Sequence, residues 1–277
     1  MMMAANLEQL DLQARTLRAR LIANSSKTGT PHLGSCLSCA DILTALYFHV
    51  LKIDPKAPRD PERDRFLLSK GHAAPALFQI LAMKGFYPEE WLDHYGEDGS
   101  VFAEHPPIPE KLAGIEAATG SLGHGLPLAL GMALSARILG RDHRVYALLG
   151  DGECNEGSVW EAALFAPAQA LDRVTVIVDY NKWQATGRSD EITSLSPLVE
   201  KWRAFGWDSV EVDGHDLSAL VAAITPPEQG SGRPRAIIAH TVKGRGVSFM
   251  EDDNNWHYRI PNAEEVAAAR IELRIPA

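Results

Sequence analysis

The sequence predicts an α/β fold, with a doubly wound, mainly parallel sheet flanked by helices on both faces. Four short segments rich in Val, Ile, Leu and Ala are each bounded by turn residues, and such near-continuous apolar runs are typical of buried parallel strands. Segments with helical periodicity separate these runs, and the alternation of strand with helix indicates a parallel sheet covered on both faces. Polar residues follow each predicted strand, which is where open parallel sheets bind ligands.

The predicted elements follow in chain order. The N-terminal half is expected to be mostly helix and loop laid over the sheet, with helices at 7–24, 38–51, 73–84 and 122–139. Turns rich in Pro and Gly are expected around 52–61 and 104–109. The strands are predicted at 144–149, 174–179, 208–212 and 235–240, and the helices between them at 158–171, 197–205 and 217–224. The run of Pro, Gly and Ser at 225–234 predicts an exposed loop, and we expect a single domain over 1–277.

The composition narrows the classes of function. With 277 residues, 45% of them hydrophobic, the chain can bury a substantial core. The 27 basic and 36 acidic residues give a net charge of −9, which argues against a nucleic-acid-binding surface and against binding to anionic membranes. Three cysteines are too few for a disulfide framework, and we find neither a secretory signal nor an apolar span of membrane length. We therefore expect a cytoplasmic protein with no nucleic-acid or membrane partner.

The segments that follow the predicted strands gather chemically useful side chains. They are Gly150-Asp151-Gly152, Asp179-Tyr180-Asn181, Asp213-Gly214-His215-Asp216 and His240-Thr241-Val242-Lys243-Gly244. Any one Asp or Asn in such a place is more often a helix cap or a turn residue than a ligand. Because four strand ends agree, we expect a ligand site at this edge of the sheet.

A divalent cation would explain why carboxylates crowd into 150–157, since closely placed carboxylates repel one another unless a cation or a shared proton lies between them. Asp151 and Asn181 are thirty positions apart, which is one crossover unit, so their side chains can meet at neighbouring strand ends. Oxygen ligands of this kind suit Mg²⁺, which keeps other ligands for a phosphate. Gly150, Gly152 and Gly157 would allow the backbone to approach that phosphate closely.

This pattern, GDG followed about thirty residues later by Asn, resembles the diphosphate and magnesium motif of thiamine-diphosphate enzymes. Flanking segments narrow the resemblance to the transketolases. The matching segments are Pro31-His32-Leu33-Gly34-Ser35, Leu68-Ser69-Lys70-Gly71-His72-Ala73, Thr119-Gly120-Ser121-Leu122-Gly123-His124-Gly125, and shorter ones at 213–216 and 241–247. The resemblance implies the thiamine-diphosphate-binding fold, with thiamine diphosphate and Mg²⁺ (or Ca²⁺ or Mn²⁺) as cofactors.

The resemblance also implies roles for individual residues. The side chains of Asp151 and Asn181 and the backbone carbonyl of Trp183 are the implied metal ligands. Glu156 is the implied buried interface carboxylate of a proton network between cofactor sites, which Glu161 would join unless it is a surface helix carboxylate. The implied substrate-channel histidines are His32, His72, His105 and His257. The implied cofactor-binding residues are His72, Gly120, Leu122, Gly123, His124, Gly150, Asp151, Gly152, Glu153, Asn181 and Lys243.

For three residues a structural role is weighed against a functional one. Lys243 either binds the cofactor, as the resemblance implies, or is an exposed lysine on a glycine-flanked loop. Cys36 and Cys39 have the C-x-x-C spacing but no second pair to complete a zinc site, so we expect them to pack in the core.

The resemblance implies half of an active site. A full transketolase continues with a pyrimidine-binding domain and a C-terminal domain, whereas this chain stops at Ala277, where the first domain ends. We therefore expect the N-terminal subunit of a split transketolase, which pairs with a C-terminal subunit carrying the pyrimidine-binding domain and self-associates, giving a heterotetramer. The expected reaction moves a two-carbon ketol unit from a ketose or its phosphate to an aldose. The alternatives are transfer of that unit to a carrier protein in a specialised pathway, and a non-catalytic interaction subunit.

Overall fold

Five parallel strands form the central sheet of the molecule, which a computed structural model describes over residues 2–226 and 232–275. The strands are β1 (Arg65–Leu68), β2 (Val145–Gly150), β3 (Val174–Tyr180), β4 (Asp208–Asp213) and β5 (Arg235–His240), in the order β1-β2-β3-β5-β4. Every neighbouring pair is parallel. The four predicted strands are confirmed, and β1 is a fifth that the sequence analysis missed because it is only four residues long.

Helices cover the sheet and fill its crossovers. The N-terminal half holds α1 (Met2–Thr28), α2 (Leu33–Ser38), α3 (Ala40–Ala45), α4 (Ala74–Lys84) and α5 (Gly125–Ile138). The C-terminal half holds α6 (Gly157–Ala168), α7 (Ser189–Ile192), α8 (Leu198–Ala204), α9 (Leu217–Ile224) and α10 (Ala263–Glu272). Short 3₁₀ turns lie at Gly71–Ala73, Glu89–His94, Gly152–Asn155 and Asn254–His257, and a π-helical turn lies at Leu46–Val50.

Several predicted helix bounds were wrong, for local reasons. The helix predicted at 38–51 is divided between α2, α3 and the π-helical turn, because Cys39 leaves helical geometry at φ −91° and ψ 5°. The helix predicted at 122–139 begins at Gly125, since Gly123 has a left-handed φ of +82°. The helix predicted at 158–171 ends at Ala168, one residue after Pro167. Of the loop predicted at 225–234, residues 227–231 lie outside the described residues.

Each face of the sheet carries its own hydrophobic core. Because successive side chains of a strand point to opposite faces, Tyr146 and Leu148 of β2 belong to one core, and Val145 and Ala147 to the other. Helices α1 to α4 and α9 contribute to the first core, and α5, α6 and α8 contribute to the second. All seven residues of β3 are buried, as expected for a central parallel strand. The predicted α/β fold is therefore confirmed, with the carboxyl ends of all five strands along one edge.

Two further findings concern the chemistry of the chain as a whole. Within the part of the chain that the structure describes, no helix is both long and apolar enough to cross a membrane. Cys36, Cys39 and Cys154 are buried free thiols, which confirms the predicted core packing of the first two.

Candidate active site

A cavity of about 390 Å³ lies at the carboxyl ends of β2 and β3, the edge of the sheet where the sequence predicts a ligand site. The predicted residues that line it are His72, Gly120, Leu122, Gly150, Asp151, Gly152, Glu153, Glu156, Asn181, Trp183 and His257. Ser35, Lys70, Asn155 and residues 184–186 complete the lining. The other predicted residues do not line the cavity, and they are His32, His105, Gly123, His124 and Lys243.

Asp151 is a buried carboxylate in the first turn after β2. Its Oδ1 accepts from the backbone N–H of Gly152 at 2.9 Å. Its Oδ2 accepts from the backbone N–H of Lys182 and from the hydroxyl of Ser189, both at 2.8 Å. Burial raises the pKa of Asp151 to about 6, although the hydrogen bonds from Ser189 and Gly152 oppose the rise. A cation beside this carboxylate would favour its charged form, so the position fits a metal ligand.

Asn181 and Trp183 enter the same cavity from a strained turn after β3. Lys182, between them, has a left-handed backbone with φ +68°, which is uncommon for a residue with a side chain. The Asn181 side chain donates to the hydroxyl of Ser38 at 3.2 Å and accepts from the backbone N–H of Trp183 at 3.0 Å. These bonds fix the amide so that its nitrogen faces Ser38, and its oxygen lies on the side of the Trp183 backbone.

These residues fit a magnesium ion bound through oxygen atoms. Among residues 2–226 and 232–275, no group of three or more His, Cys, Asp or Glu side chains is placed to hold a metal. The candidate ligands are instead one carboxylate, one amide oxygen and one backbone carbonyl oxygen, from Asp151, Asn181 and Trp183. Such a set leaves several positions of an octahedral cation for phosphate oxygens and water, which is how Mg²⁺ is usually bound beside a phosphate.

Glu153 ties three wall segments of the cavity together. Its Oε1 accepts from the hydroxyl of Ser69 and from the backbone N–H of Gly123 at 2.8 Å, and its Oε2 accepts from the backbone N–H of Gly150 at 3.2 Å. The side chain is buried, and burial raises its pKa while the three donors oppose the rise. The carboxylate oxygens of Glu153 are therefore engaged with the protein itself, and its contribution to a ligand site is to shape the wall.

Three imidazoles form a cluster at the cavity. The ring centroids of His32 lie 5.7 Å from His72 and 5.0 Å from His257, and those of His72 and His257 lie 5.9 Å apart. Burial lowers the pKa of all three, that of His257 to about 3 with a further contribution from Lys243. The cluster is therefore neutral near pH 7, and each ring has one nitrogen that donates and one that accepts a hydrogen bond.

His32 carries two signs of a functional position. Its backbone is left-handed, with φ +68°, and strain of this kind persists only where the surrounding structure enforces it. Its Nδ1 is buried without a hydrogen-bond partner among the described residues. A buried polar atom without a partner is costly, and natural proteins tolerate it mainly at functional positions.

The other two predicted histidines are exposed. His105 lies against Gly120, where an added Cβ would come within 2.8 Å of the imidazole Cδ2. His124 is close to the carbonyl of Leu122, its Nδ1 lying 3.0 Å from that oxygen, and it is not part of the cavity wall. His105 thus lies beside a glycine that lines the cavity, whereas His124 lies outside the cavity wall. The predicted hydrogen bond from His124 to a diphosphate stays a prediction.

Glu156 lines the cavity, and Glu161 lies on the adjoining helix α6. Both carboxylates are exposed in the single chain. The burial that the sequence analysis predicted for Glu156 is thus not found within a single chain, since no part of residues 2–226 and 232–275 covers it.

A buried ion pair between Asp179 and Lys70, which lines the cavity, was missed by the sequence analysis. The Nζ of Lys70 lies 2.5 Å from Oδ2 of Asp179 and donates to the carbonyl of Ser35 at 3.1 Å. Asp179 also accepts from the hydroxyls of Ser38, at 2.6 Å, and Thr241. Burial would lower the pKa of Lys70, but the Asp179 carboxylate overcomes this and raises it. The available signals were the place of Lys70 inside a matched segment and the place of Asp179 at the end of a strand.

Two expectations about the last strands need correction. Lys243, after β5, is 1% exposed, so the alternative of an exposed loop lysine is wrong. The segment after β4 does not reach the cavity, because β4 is the edge strand of the sheet. Its His215 instead lies with Nδ1 2.7 Å from Oδ2 of Asp41 and accepts from the backbone N–H of Val242 at 2.8 Å.

Comparisons with known proteins agree with this geometry. The family described as "Transketolase, thiamine diphosphate binding domain" matches residues 11–276. An apulose-4-phosphate transketolase subunit of Phocaeicola vulgatus is 40% identical over 266 residues, which cover 96% of this chain and 94% of its own length. The 6-deoxy-6-sulfo-D-fructose transketolase subunit SqwG of a Clostridium species is 43% identical and is matched over 97% of its length.

Longer transketolases match over part of their length. Human transketolase is 41% identical over 91% of this chain, which corresponds to 40% of the human protein. The crystal structure of transketolase from Campylobacter jejuni superposes with a TM-score of 0.88 at 31% identity, covering 96% of this chain and 42% of that one. The resemblance predicted from the motifs is confirmed: the chain belongs to the family of the transketolase thiamine-diphosphate-binding domain.

Proposed function

We propose that this chain is the N-terminal subunit of a two-chain transketolase, built as a single diphosphate-binding domain. It would transfer a two-carbon ketol unit from a ketose or ketose phosphate to an aldose. One observation carries the proposal: the candidate metal ligands Asp151, Asn181 and Trp183 line the same cavity as the neutral imidazoles of His72 and His257. The relatives of matching length, which are named as transketolase subunits, support a partner chain.

The cavity suits thiamine diphosphate with Mg²⁺. Its volume of about 390 Å³ lies within the range of small-molecule sites. The side chains of Asp151 and Asn181 and the carbonyl of Trp183 would hold the cation. Bound thiamine diphosphate supplies a nucleophilic carbon and an electron sink. The chain itself binds the diphosphate end, orients the sugar hydroxyls and moves protons, and neutral imidazoles are suited to the last two tasks.

An exposed apolar face supports assembly with other chains. On α5 and the residue after it, Leu128, Ile138 and Leu139 are exposed, and on α6, which packs beside α5, Leu164 and Phe165 are exposed. Large apolar side chains grouped in this way mark interaction surfaces. We propose that self-association and the pyrimidine-domain subunit cover this face, giving two copies of each chain. Glu156 and Glu161, which are exposed in the single chain, would be buried by the same assembly.

The experiment mixes the purified chain with thiamine diphosphate, Mg²⁺ and the product of the adjacent open reading frame, tested as the C-terminal subunit, and follows ketol transfer. Since relatives are named for an apulose phosphate and a sulfo-fructose, both sugars are assayed together with a simple ketose phosphate. We expect transfer only in the mixture and its loss in Asp151→Ala. Asp142→Ala, at an exposed aspartate paired with Arg173, is the matched control and should keep full activity.

Two other outcomes would favour the alternative functions. Tight cofactor binding without transfer to any sugar would move the chemistry to an acceptor on a carrier protein. Absence of cofactor binding by the mixture would contradict an enzymatic role and leave a non-catalytic interaction subunit.

A further inference from the structure

Lys243 is a buried cation that forms no direct ion pair with a carboxylate of the described residues. It follows β5 and is 1% exposed. Its Nζ lies 2.6 Å from Oδ1 of Asn254 and 3.2 Å from Nδ1 of His257. Burial lowers the pKa of Lys243 to about 8, so the amine remains mostly protonated near pH 7.

The directions of these hydrogen bonds follow from the chemistry of the groups. The Nδ2 of Asn254 donates to the carbonyl of Ala185 at 3.1 Å, which fixes the amide with its oxygen toward Lys243. A protonated lysine has three N–H donors and no acceptor. Both of its partners must therefore accept, and the Nδ1 of His257 must be the ring nitrogen that carries no proton.

We propose that Lys243 is a positioning residue that holds His257 in the tautomer protonated at Nε2. His257 lines the cavity, so in this tautomer it can donate a hydrogen bond to an oxygen atom of a bound ligand. That the ligand is a sugar or a cofactor phosphate rests on the proposed function, whereas the tautomer itself does not. Without the ammonium group, a neutral imidazole is free to carry its proton on either nitrogen.

The fold sets the position of the ammonium group before any ligand binds. The backbone on either side of Lys243 is held, since the N–H of Val242 donates to His215 at 2.8 Å and the N–H of Gly244 donates to the carbonyl of Gly34 at 3.0 Å. Gly34 also leaves room for the Lys243 side chain, because an added Cβ at Gly34 would lie 3.1 Å from Cγ and 3.3 Å from Cε of Lys243.

The backbone of His257 is held in the same region. Its carbonyl accepts from the backbone N–H of His32 at 2.7 Å. The ring itself packs edge-to-face against the rings of His32, at 5.0 Å, and Tyr258, at 4.6 Å, which keeps it beside Lys243. Exchange of the ring proton between the two nitrogens needs no movement of the ring. This is the change that the experiment detects.

The test is a long-range ¹H–¹⁵N correlation spectrum of the full chain with ¹⁵N-labelled histidine, which distinguishes the two tautomers of a neutral imidazole. The His257 signals are assigned by their loss in His257→Gln. We expect wild-type His257 to show only the Nε2-protonated pattern. In Lys243→Met the Nδ1-protonated pattern should appear, and in Lys243→Arg, which keeps a donor, the wild-type pattern should return.

The control is Lys84→Met, at the end of α4, where the ammonium group lies over the ring of Phe48. This change should leave the His257 signals unchanged. Lys243→Met should fold, because no carboxylate of the described residues forms a direct ion pair with Lys243, so the change leaves no ion-pair partner behind. A wild-type His257 protonated at Nδ1, or an unchanged pattern in folded Lys243→Met, would overturn the proposal. Since the spectrum needs neither cofactor nor partner, its result stands apart from whether ketol transfer is found. Where transfer is found, kcat/KM of Lys243→Met should fall roughly tenfold, as expected for one misdirected hydrogen bond.

Discussion

The change Lys70→Met tests how much the buried ion pair in the cavity wall contributes to stability. Lys70 and Asp179 are both at most 1% exposed, and their charged atoms lie 2.5 Å apart. Methionine keeps most of the apolar side chain but removes the ammonium group. The carboxylate of Asp179 would then remain buried without an opposite charge, although the hydroxyls of Ser38 and Thr241 still donate to it.

The expected cost follows from that arrangement. Removing one partner of a buried ion pair destabilises a protein by about 3–5 kcal/mol. Because two hydroxyl donors stay with Asp179, we expect the lower end of this range, about 3 kcal/mol. For a chain of this size, each kcal/mol lowers the melting temperature by about 2–4 °C, so the melting temperature of Lys70→Met should fall by about 6–12 °C.

The assay is unfolding by heat and by urea, with a double variant and a matched control. Lys70→Met combined with Asp179→Asn removes both charges, and the amide oxygen can still accept from Ser38, so the double variant should be more stable than Lys70→Met alone. Lys27→Met breaks an exposed ion pair with Asp93, at 2.8 Å, and should leave the melting temperature unchanged because water solvates Asp93. A Lys70→Met protein as stable as wild type, or a double variant no more stable than Lys70→Met, would refute the reasoning.

Three further predictions concern the wall, the network behind it and the exposed face. Gly123→Ala should destabilise the fold by about 1–3 kcal/mol in urea unfolding, because φ is +82° and the new Cβ would lie 2.6 Å from Cβ of Glu156. Gly157→Ala is the control and should not destabilise the fold, since its new Cβ would meet no atom within 4 Å. Burial opposes ionisation of Asp41, but the Arg18 guanidinium holds the pKa of this carboxyl down to about 2. The ionised carboxylate therefore stabilises the folded state at pH values above its unfolded pKa, and this stabilisation is lost as the pH falls from about 4 toward 2. This loss should amount to about 2 kcal/mol in acid unfolding and be absent from Asp41→Asn. Leu164→Asp, on α6, should weaken self-association in sedimentation, because its side chain is 62% exposed on the apolar face.

Each of these predictions has an outcome that contradicts it. Equal destabilisation by the two glycine variants would show that backbone strain and crowding at Gly123 are unimportant. An acid unfolding profile of Asp41→Asn that is parallel to that of wild type would remove the role of the Arg18 pair. An unchanged sedimentation profile of Leu164→Asp, with ketol transfer retained, would place the interface on another face.

The strand–helix alternation and the strand ends could be read from the sequence because each depends on local pattern. Long apolar runs such as 174–179 predict buried strands without knowledge of their neighbours. Asp151 and Asn181 could be paired because a single crossover separates them. β1 could not be predicted, because a strand of four residues has too little pattern and its pairing with β2 depends on residues far along the chain.

The parts of the site that sequence analysis missed depend on three-dimensional partners. The matched segment around Lys70 marks it as a candidate, but it does not reveal that the partner of Lys70 is a carboxylate 109 positions away. The burial of Lys243 depends likewise on Gly34 and Asn254. His124, the N-cap residue of α5, is exposed in the single chain, and its predicted place beside the cofactor diphosphate stays a prediction. Spacing thus predicts which strand ends meet, and only packing decides which side chains turn inward.

The pairing of β1 with β2 has a consequence for how the protein matures on the ribosome. Arg65 lies opposite Val145, so β1 has no partner strand in the sheet until residues about eighty positions later have been made. The cavity needs more still, because its lining extends from Ser35 to His257. Until the later strands are made, the N-terminal helices lack part of the core that they share with Tyr146, Leu148 and Ile177, and their apolar surface is open to chaperones. A bound cofactor can report on the completeness of this chain, since the cavity exists only when nearly all of it has been made and folded.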